Sequence, residues 1–266
     1  MPEEILTIMD VVPTMSYNEL LDVSVTFGYM LLENGAEIYR VEESIARVLL
    51  AYGIQDNEVF AIPTCIITTI RTSDGQSHTR MKRIMTRSIN LDKVTMLNDL
   101  CRRVCSNTPS YSEVKSGLEI IKGSKVYSPL VQIFATSLIS FSFCLFYGGG
   151  ILDALVAIVC GAMMRIVLNS MDRFNTNLFF QYVVGSGIVT CLAFLFVQIG
   201  VGSLMDKIII GTLMNLVPGV AMTNSMRDII AGDLLAGITK LTEAIMIAIA
   251  MALGTGIALY GLRLIA

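Results

Sequence analysis

Histidine is nearly missing from this chain of 266 residues, with His78 the sole example. A nucleophile that relies on a histidine base therefore has one candidate. It lies beside Thr79 and Arg80 in an expected hairpin, where a solvated strand residue accounts for it. Metal sites are short of nitrogen ligands for the same reason. The six cysteines (Cys65, Cys101, Cys105, Cys144, Cys160 and Cys191) are scattered, three of them inside apolar runs. Cys101 and Cys105 stand at i,i+4 beside Arg102 and Arg103, but a metal would need further ligands, so structural cysteines, no metal and no cofactor are expected. No GxxxxGK[ST] phosphate loop occurs. Surplus positive charge is lacking too, since the net charge is -3, and this excludes nucleic-acid binding by electrostatics. The opening MPEEILTIMD has neither a basic leader nor a long apolar core. A secretory signal peptide is not expected, and the first half should stay on the side where it is made.

Charge is unevenly spread. Residues 1–125 hold 13 Lys/Arg and 16 Asp/Glu, whereas 126–266 hold 6 of each. A mean hydropathy of +0.67 with 54% hydrophobic residues exceeds what soluble domains carry, and the excess lies in the second half. The chain is two physically different halves.

In the first half, Ser16 and Glu19 have capping-box spacing, and Leu20, Val23, Phe27, Met30 and Leu31 recur at helical intervals up to Gly35. A second helix is expected from Ala36 to Tyr52, ended by Gly53. The β-branched stretches EVFAIP and CIITTIRT, the turn TSDGQS and the following HTRMKRIM predict a small antiparallel sheet over 56–87. Helical periods return at Leu91–Cys105 and Ser110–Ile121. The expectation is an α/β domain over 1–127, cytoplasmic in placement and large enough for its own core.

From residue 128 onward the expectation is an α-helical membrane domain of five transmembrane helices, approximately 130–149, 151–168, 178–200, 208–223 and 238–262. Lys115, Lys122 and Lys125 precede the first run and nothing basic follows it, which predicts a cytoplasmic first half and a C-terminus outside. In the last run Ala244, Ala248, Ala252 and Gly256 form a ridge of small residues suited to helix packing, and Glu243 beside it should face protein. Arg165 fits a residue snorkelling to the membrane surface.

The fourth run is interrupted. Pro218 removes a donor and displaces a carbonyl, and Gly219 tolerates the unwound backbone. Asn215, Thr223 and Asn224 can bond the released groups or a solute, as in the broken helices of transporters. The alternative is a simple kink, with the polar residues in a loop past the membrane edge. Arg227 and Asp228 could neutralise one another, while Asp233, Lys240 and Glu243 continue the polar series. Ionisable groups at such depth line a pathway or pair up.

These residues carry a family resemblance. LVPGVAMTNSMRDIIAGDLLAGITKLTEA (216–244) resembles the signature region of the threonine/serine exporter (ThrE) family, and GAEIYRVEESIARVLLAYG (35–53) with IPT (62–64) resembles the start of that family's cytoplasmic domain. The resemblance implies a cytoplasmic domain, five spans and a smaller membrane module, which some members fuse and others make separately. With Ala266 following the fifth expected span, the chain is similar to the larger, YjjP-type subunit of a split two-component exporter. The resemblance then implies a small separate membrane subunit as partner, in the bacterial inner membrane, and transport driven by an ion gradient.

The expected function is export of a small carboxylate-bearing solute, threonine or serine, or a dicarboxylate such as succinate. Arg227 and amides freed near Pro218 and Gly219 would hold the carboxylate, with Asn215, Thr223 and Asn224 orienting it. Asp228, Asp233 or Glu243 would take the coupling proton, since a desolvated carboxylate titrates nearer neutrality. Two other readings stand beside this one. One is a membrane-tethered hydrolase using Glu37 with Arg40, or Glu42 with Glu43, although such pairs are commonly helix surface. The other is a regulatory domain whose Tyr39, Arg40, Glu42 and Glu43 sense solute. The lipid bilayer, the solute and a possible homo-oligomer complete the expected partners; no nucleic acid does.

Overall fold

The computed structural model describes residues 15–124, 127–174 and 176–265. The opening decapeptide, with its expected lack of a leader, and Lys125, one of the three lysines that predict orientation, lie outside them. The chain forms two compact units, one from residues 1–125 with Asn224–Lys240 and the other from residues 126–223 with 241–266.

In the first unit α1 (Tyr17–Glu33) starts at the expected box: the Glu19 amide donates to Ser16 Oγ at 3.3 Å, and the Ser16 amide to Glu19 Oε2 at 2.9 Å. α2 (Ile38–Ala51) packs on it so closely that a Cβ at Gly28 would lie 2.3 Å from Ile45 Cδ1. β1 (Asn57–Ile62), β2 (Cys65–Arg71) and β3 (Ser77–Arg83) form an antiparallel sheet in that order. Alternation along β2 turns Ile66, Thr68 and Ile70 inward. α3 (Leu91–Asn107) and α4 (Tyr111–Lys122) complete the layer. Phe27, Leu31, Ile38, Ile45, Leu49 and Leu97 are fully buried in one core, each worth roughly 1.5–3 kcal/mol.

The second unit contains α5 (Pro129–Phe146), α6 (Ile151–Arg173), α7 (Leu178–Gln198) and α8 (Met205–Leu213). α9 (Gly219–Ala231) and α10 (Leu234–Ile265) contribute residues to both units. Among the described residues four helices are long and apolar enough to cross a membrane: Pro129–Phe146, Ile151–Arg173, Leu178–Gln198 and Leu234–Leu264. The expected fourth span at 208–223 is instead two short helices. Pro218 cannot continue the ladder, residues 214–217 turn, and the 9 residues of α8 extend only about 14 Å against a hydrocarbon core of about 30 Å.

Small residues set the helix contacts in this unit. A Cβ at Gly161 would meet Ser140 Oγ at 2.3 Å, one at Gly211 the Cys144 amide at 2.6 Å, and one at Gly254 the Val183 carbonyl at 2.1 Å. The expected ridge on α10 is displaced. Ala244, Ile247, Ala250 and Gly254 are buried, whereas Ala248, Ala252 and Gly256 are exposed. Spacing four drifts around a helix of 3.6 residues per turn, and the observed stripe steps by three, three and four. Arg165 is half-buried and donates through Nε at 3.2 Å to Oε1 of Gln132, in the first turn of α5.

Candidate functional site

α1 ends in a turn through Gly35, whose φ of +92° suits a residue without a Cβ; one added there would also press on the Ser88 carbonyl at 3.2 Å. The turn delivers Glu37 to the N-cap of α2, where it is 8% exposed and favourably placed against the helix dipole. Its two carboxylate oxygens hold two guanidinium groups. Arg40 forms an ion pair with Oε2, its Nε at 3.1 Å, and Arg227 Nη1 donates to Oε1. Asn224 Nδ2 donates to the Gly35 carbonyl at 3.2 Å. The stretches 35–53 and 216–244, distant in sequence, thus meet through Asn224 and Arg227 within the first unit.

The same unit contains the elbow between α9 and α10. Gly232, at φ +101°, turns the chain, and Gly237 lets the helices close: a Cβ there would lie 2.4 Å from Ile229 Cγ1 and 2.8 Å from the Ser225 carbonyl. Asp228 is fully buried inside the elbow. Its Oδ2 accepts from Lys240 Nζ at 2.8 Å, while Oδ1 has no hydrogen-bond partner among the described residues. Arg227 and Asp228 therefore do not neutralise one another. Consecutive helix residues point about 100° apart, and each finds its own partner.

Two further carboxylates stand near the elbow. Asp233 donates its amide to the Asp228 carbonyl at 2.9 Å. Burial, then the negative charge of Asp228, push its carboxyl above the usual range, with Lys240 opposing. Glu42 accepts from the Ala61 amide at 2.7 Å. Burial raises its carboxyl foremost, the Ala61 bond opposes, and the charge of Asp233 adds to the rise. The charge of Asp233 thus acts on Glu42, and both carboxyls hold a proton more tightly than an ordinary carboxylate does.

Of the sequence-predicted residues, Asn224, Arg227, Asp228 and Asp233 fall in this unit, and Asn215, Pro218, Gly219, Thr223 and Glu243 in the other. Asn215 Nδ2 donates to Ser140 Oγ at 2.9 Å and to the Thr212 carbonyl at 3.0 Å. Pro218 immediately precedes α9, and the Pro218 carbonyl accepts from the Met222 amide at 3.0 Å. A Cβ at Gly219 would meet nothing within 4 Å. Thr223 Oγ1 is turned back onto the Gly219 carbonyl at 2.9 Å. Glu243, half-buried on α10, lies within electrostatic range of Tyr182 on α7.

Glu37 and Glu42 enter the sequence reading only as hydrolase or sensor candidates and Lys240 only in the polar series; none of them is placed there in the solute site. Glu37 with Arg40 reads as an ordinary i,i+3 surface pair, and no local pattern links Lys240 to a residue 12 positions earlier. The signal available was chemical: an acidic residue and a basic one, each in a stretch singled out for other reasons.

The family described as "Putative threonine/serine exporter" matches residues 22–261. A "Probable threonine/serine exporter" of Mycobacterium tuberculosis is 23% identical over 245 residues, covering 91% of this chain and 46% of the relative. The chain therefore spans about half the length of that curated relative. No solved structure matches.

Proposed function

Because the chain belongs to the threonine/serine exporter family, we propose that this multi-pass membrane protein exports a small carboxylate-bearing solute, threonine or serine first, with dicarboxylates such as succinate as the alternative class. The observation that carries the proposal is Arg227. Its side chain is 49% exposed, and a carboxylate from the other family stretch, Glu37, already holds it. A guanidinium has five N–H donors, and Glu37 Oε1 engages one nitrogen. A solute carboxylate can use the exposed edge or take the place of Glu37, and Asn224 beside it supplies an amide for the α-substituents.

Release of a bound solute needs a second input, and the elbow offers it. Burial holds the carboxyls of Asp233 and Glu42 above their ordinary range, and Asp228 is ion-paired with Lys240. A proton on Asp233 removes a repulsion with Asp228 and Glu42, which couples the elbow to the ion gradient. Glu243 is the corresponding acidic group in the membrane unit. There the helix ladder is interrupted over residues 214–217, before α9 begins at Gly219, and Asn215 and Thr223 line the passage of the solute. We place the first unit in the cytoplasm of a bacterial cell and the spans in its inner membrane. A separate small membrane subunit completes the exporter, and the extent of the longer relative beyond the matched region supports a second module.

The test is efflux of threonine, serine and succinate from cells expressing the chain, with and without a candidate small membrane subunit. Export that needs the chain, exceeds background for one of these solutes and is lost in Arg227→Ala at unchanged membrane abundance is expected. Unimpaired efflux by Arg227→Ala removes Arg227 from the path, and absence of efflux for every carboxylate under both conditions overturns the reading.

A further inference from the structure

α2 and α3 leave a groove of about 960 Å³ between them, within the range of small-molecule sites. Along α2, residues 40, 44, 47 and 51 fall on one face at spacings of three and four, and along α3 residues 98, 101, 102 and 105 do the same. The two faces meet across the groove. Its walls carry Arg40, Arg47 and Arg102 against one lining carboxylate, Glu43. Each guanidinium is tied to an acid of its own helix: Arg40 to Glu37 at 3.1 Å, Arg47 to Glu43 at 2.6 Å and Arg102 to Asp99 at 3.0 Å. The latter two pairs are more than half exposed on every side chain, so they contribute little and yield readily to a better anion.

The floor is different. Leu50 and Ala51 from α2 and Cys101 and Cys105 from α3 line it. Burial foremost, and the neighbouring Cys105, push the Cys101 thiol up to about 12, so it is a neutral, polarisable surface and not a thiolate. Tyr39 closes one end, its hydroxyl accepting from Arg40 Nε at 3.0 Å. Arg40 and Arg47 are separated by two helical turns, about 10 Å along the axis, too far for one carboxylate to reach both.

We propose that this groove binds a small organic polyanion of nucleotide size, its phosphates on Arg40, Arg47 and Arg102 and its apolar or aromatic body on Tyr39, Leu50 and Cys101. A free amino acid is too small and carries too little negative charge to use the whole site. Binding has a built-in consequence. Glu37 is shared by Arg40 and Arg227, so a ligand that draws Arg40 into the groove leaves Glu37 wholly to Arg227. The occupied groove would then hold Arg227 back from the solute. That consequence rests on the transport role proposed for Arg227; the binding site itself does not.

The experiment is a titration of the full chain in lipid nanodiscs with ATP as probe, and with inorganic triphosphate and succinate as separate arms. Saturable ATP binding is expected, weakened at least tenfold in Arg47→Ala combined with Arg102→Ala, with an unchanged melting temperature. It should be retained in Arg227→Ala, so that failure of the transport reading leaves this result standing. No saturable ATP binding, or binding indifferent to the double substitution, overturns the site. Triphosphate binding as tightly as ATP, or succinate binding more tightly, overturns the nucleotide-sized ligand. If the double variant does not fold, protection of Cys105 from a thiol reagent by ATP in the unaltered chain replaces it, and absence of protection counts against the proposal.

Discussion

Arg227 donates to Glu37 across 190 positions of sequence, joining the N-cap of α2 to the middle of α9. Glu37 keeps Arg40 as a second partner, so loss of Arg227 leaves no carboxylate stranded. The fold should tolerate Arg227→Ala with a cost of about 1 kcal/mol or less. The charge swap Arg227→Glu with Glu37→Arg is the sharper test. It should restore an ion pair between the two positions, at a cost in stability from a cation at the α2 N-cap beside Arg40, but not efflux, because the solute carboxylate needs the guanidinium on α9. Efflux recovered by the swap would make the pair structural.

Lys240→Met should be far more damaging to stability. It strands Asp228, which is fully buried, and breaking a buried pair from one side costs about 3–5 kcal/mol. Adding Asp228→Asn should recover much of the loss, measured by thermal unfolding of the purified chain. A double variant no better than Lys240→Met alone would argue that the elbow is held by packing and not by charge.

Asp233 and Glu42 set a pH dependence of definite sign. Both carboxyls are pushed upward from ordinary values of 3.8 and 4.5. Their folded pKa values exceed the unfolded ones, so protonation favours the fold. This contribution is present below the ordinary values and is lost as pH rises through the raised ones. Asp233→Asn should flatten that fall in melting temperature and also lower the pKa of Glu42, as followed by carboxyl NMR of labelled glutamate. A Glu42 titration unmoved by Asp233→Asn would show that the two groups do not interact.

In the second unit Asp153 is 2% exposed and accepts three amides: Gly150 at 2.9 Å, Ser203 at 2.7 Å and Leu204 at 3.1 Å. Asp153→Ala leaves these donors without their acceptor and should cost about 2 kcal/mol or more. Asp153→Asn keeps one acceptor oxygen and should cost less. Equal melting temperatures for both variants would contradict this account.

The packed stripe on α10 predicts opposite outcomes two residues apart. Gly254→Ala places a Cβ 2.1 Å from the Val183 carbonyl and should destabilise by roughly 1–3 kcal/mol. Gly256→Ala meets nothing within 4 Å and should be neutral or slightly favourable through helix propensity. Equal effects in unfolding of the detergent-solubilised chain would refute the observed register.

Much of this protein is written locally. The Ser16–Glu19 box, the turn at Gly75 between β2 and β3 and the apolar runs of α5, α6 and α7 are short-range devices, which backbone sterics and hydropathy fix without knowledge of the rest of the chain. Pro218 is of the same kind, because the missing amide breaks a helix in any context. The sequence alone therefore determined most of the elements, the apolar character of the second half and the interruption of its fourth run, though not that this run forms two short helices. Which face of α10 packs, which acid holds Arg227, and that Asp228 is balanced by Lys240 were decided only by tertiary structure. Charges attract at a distance without encoding a partner, and the choice falls to whichever opposite charge the packed backbone brings within hydrogen-bonding reach.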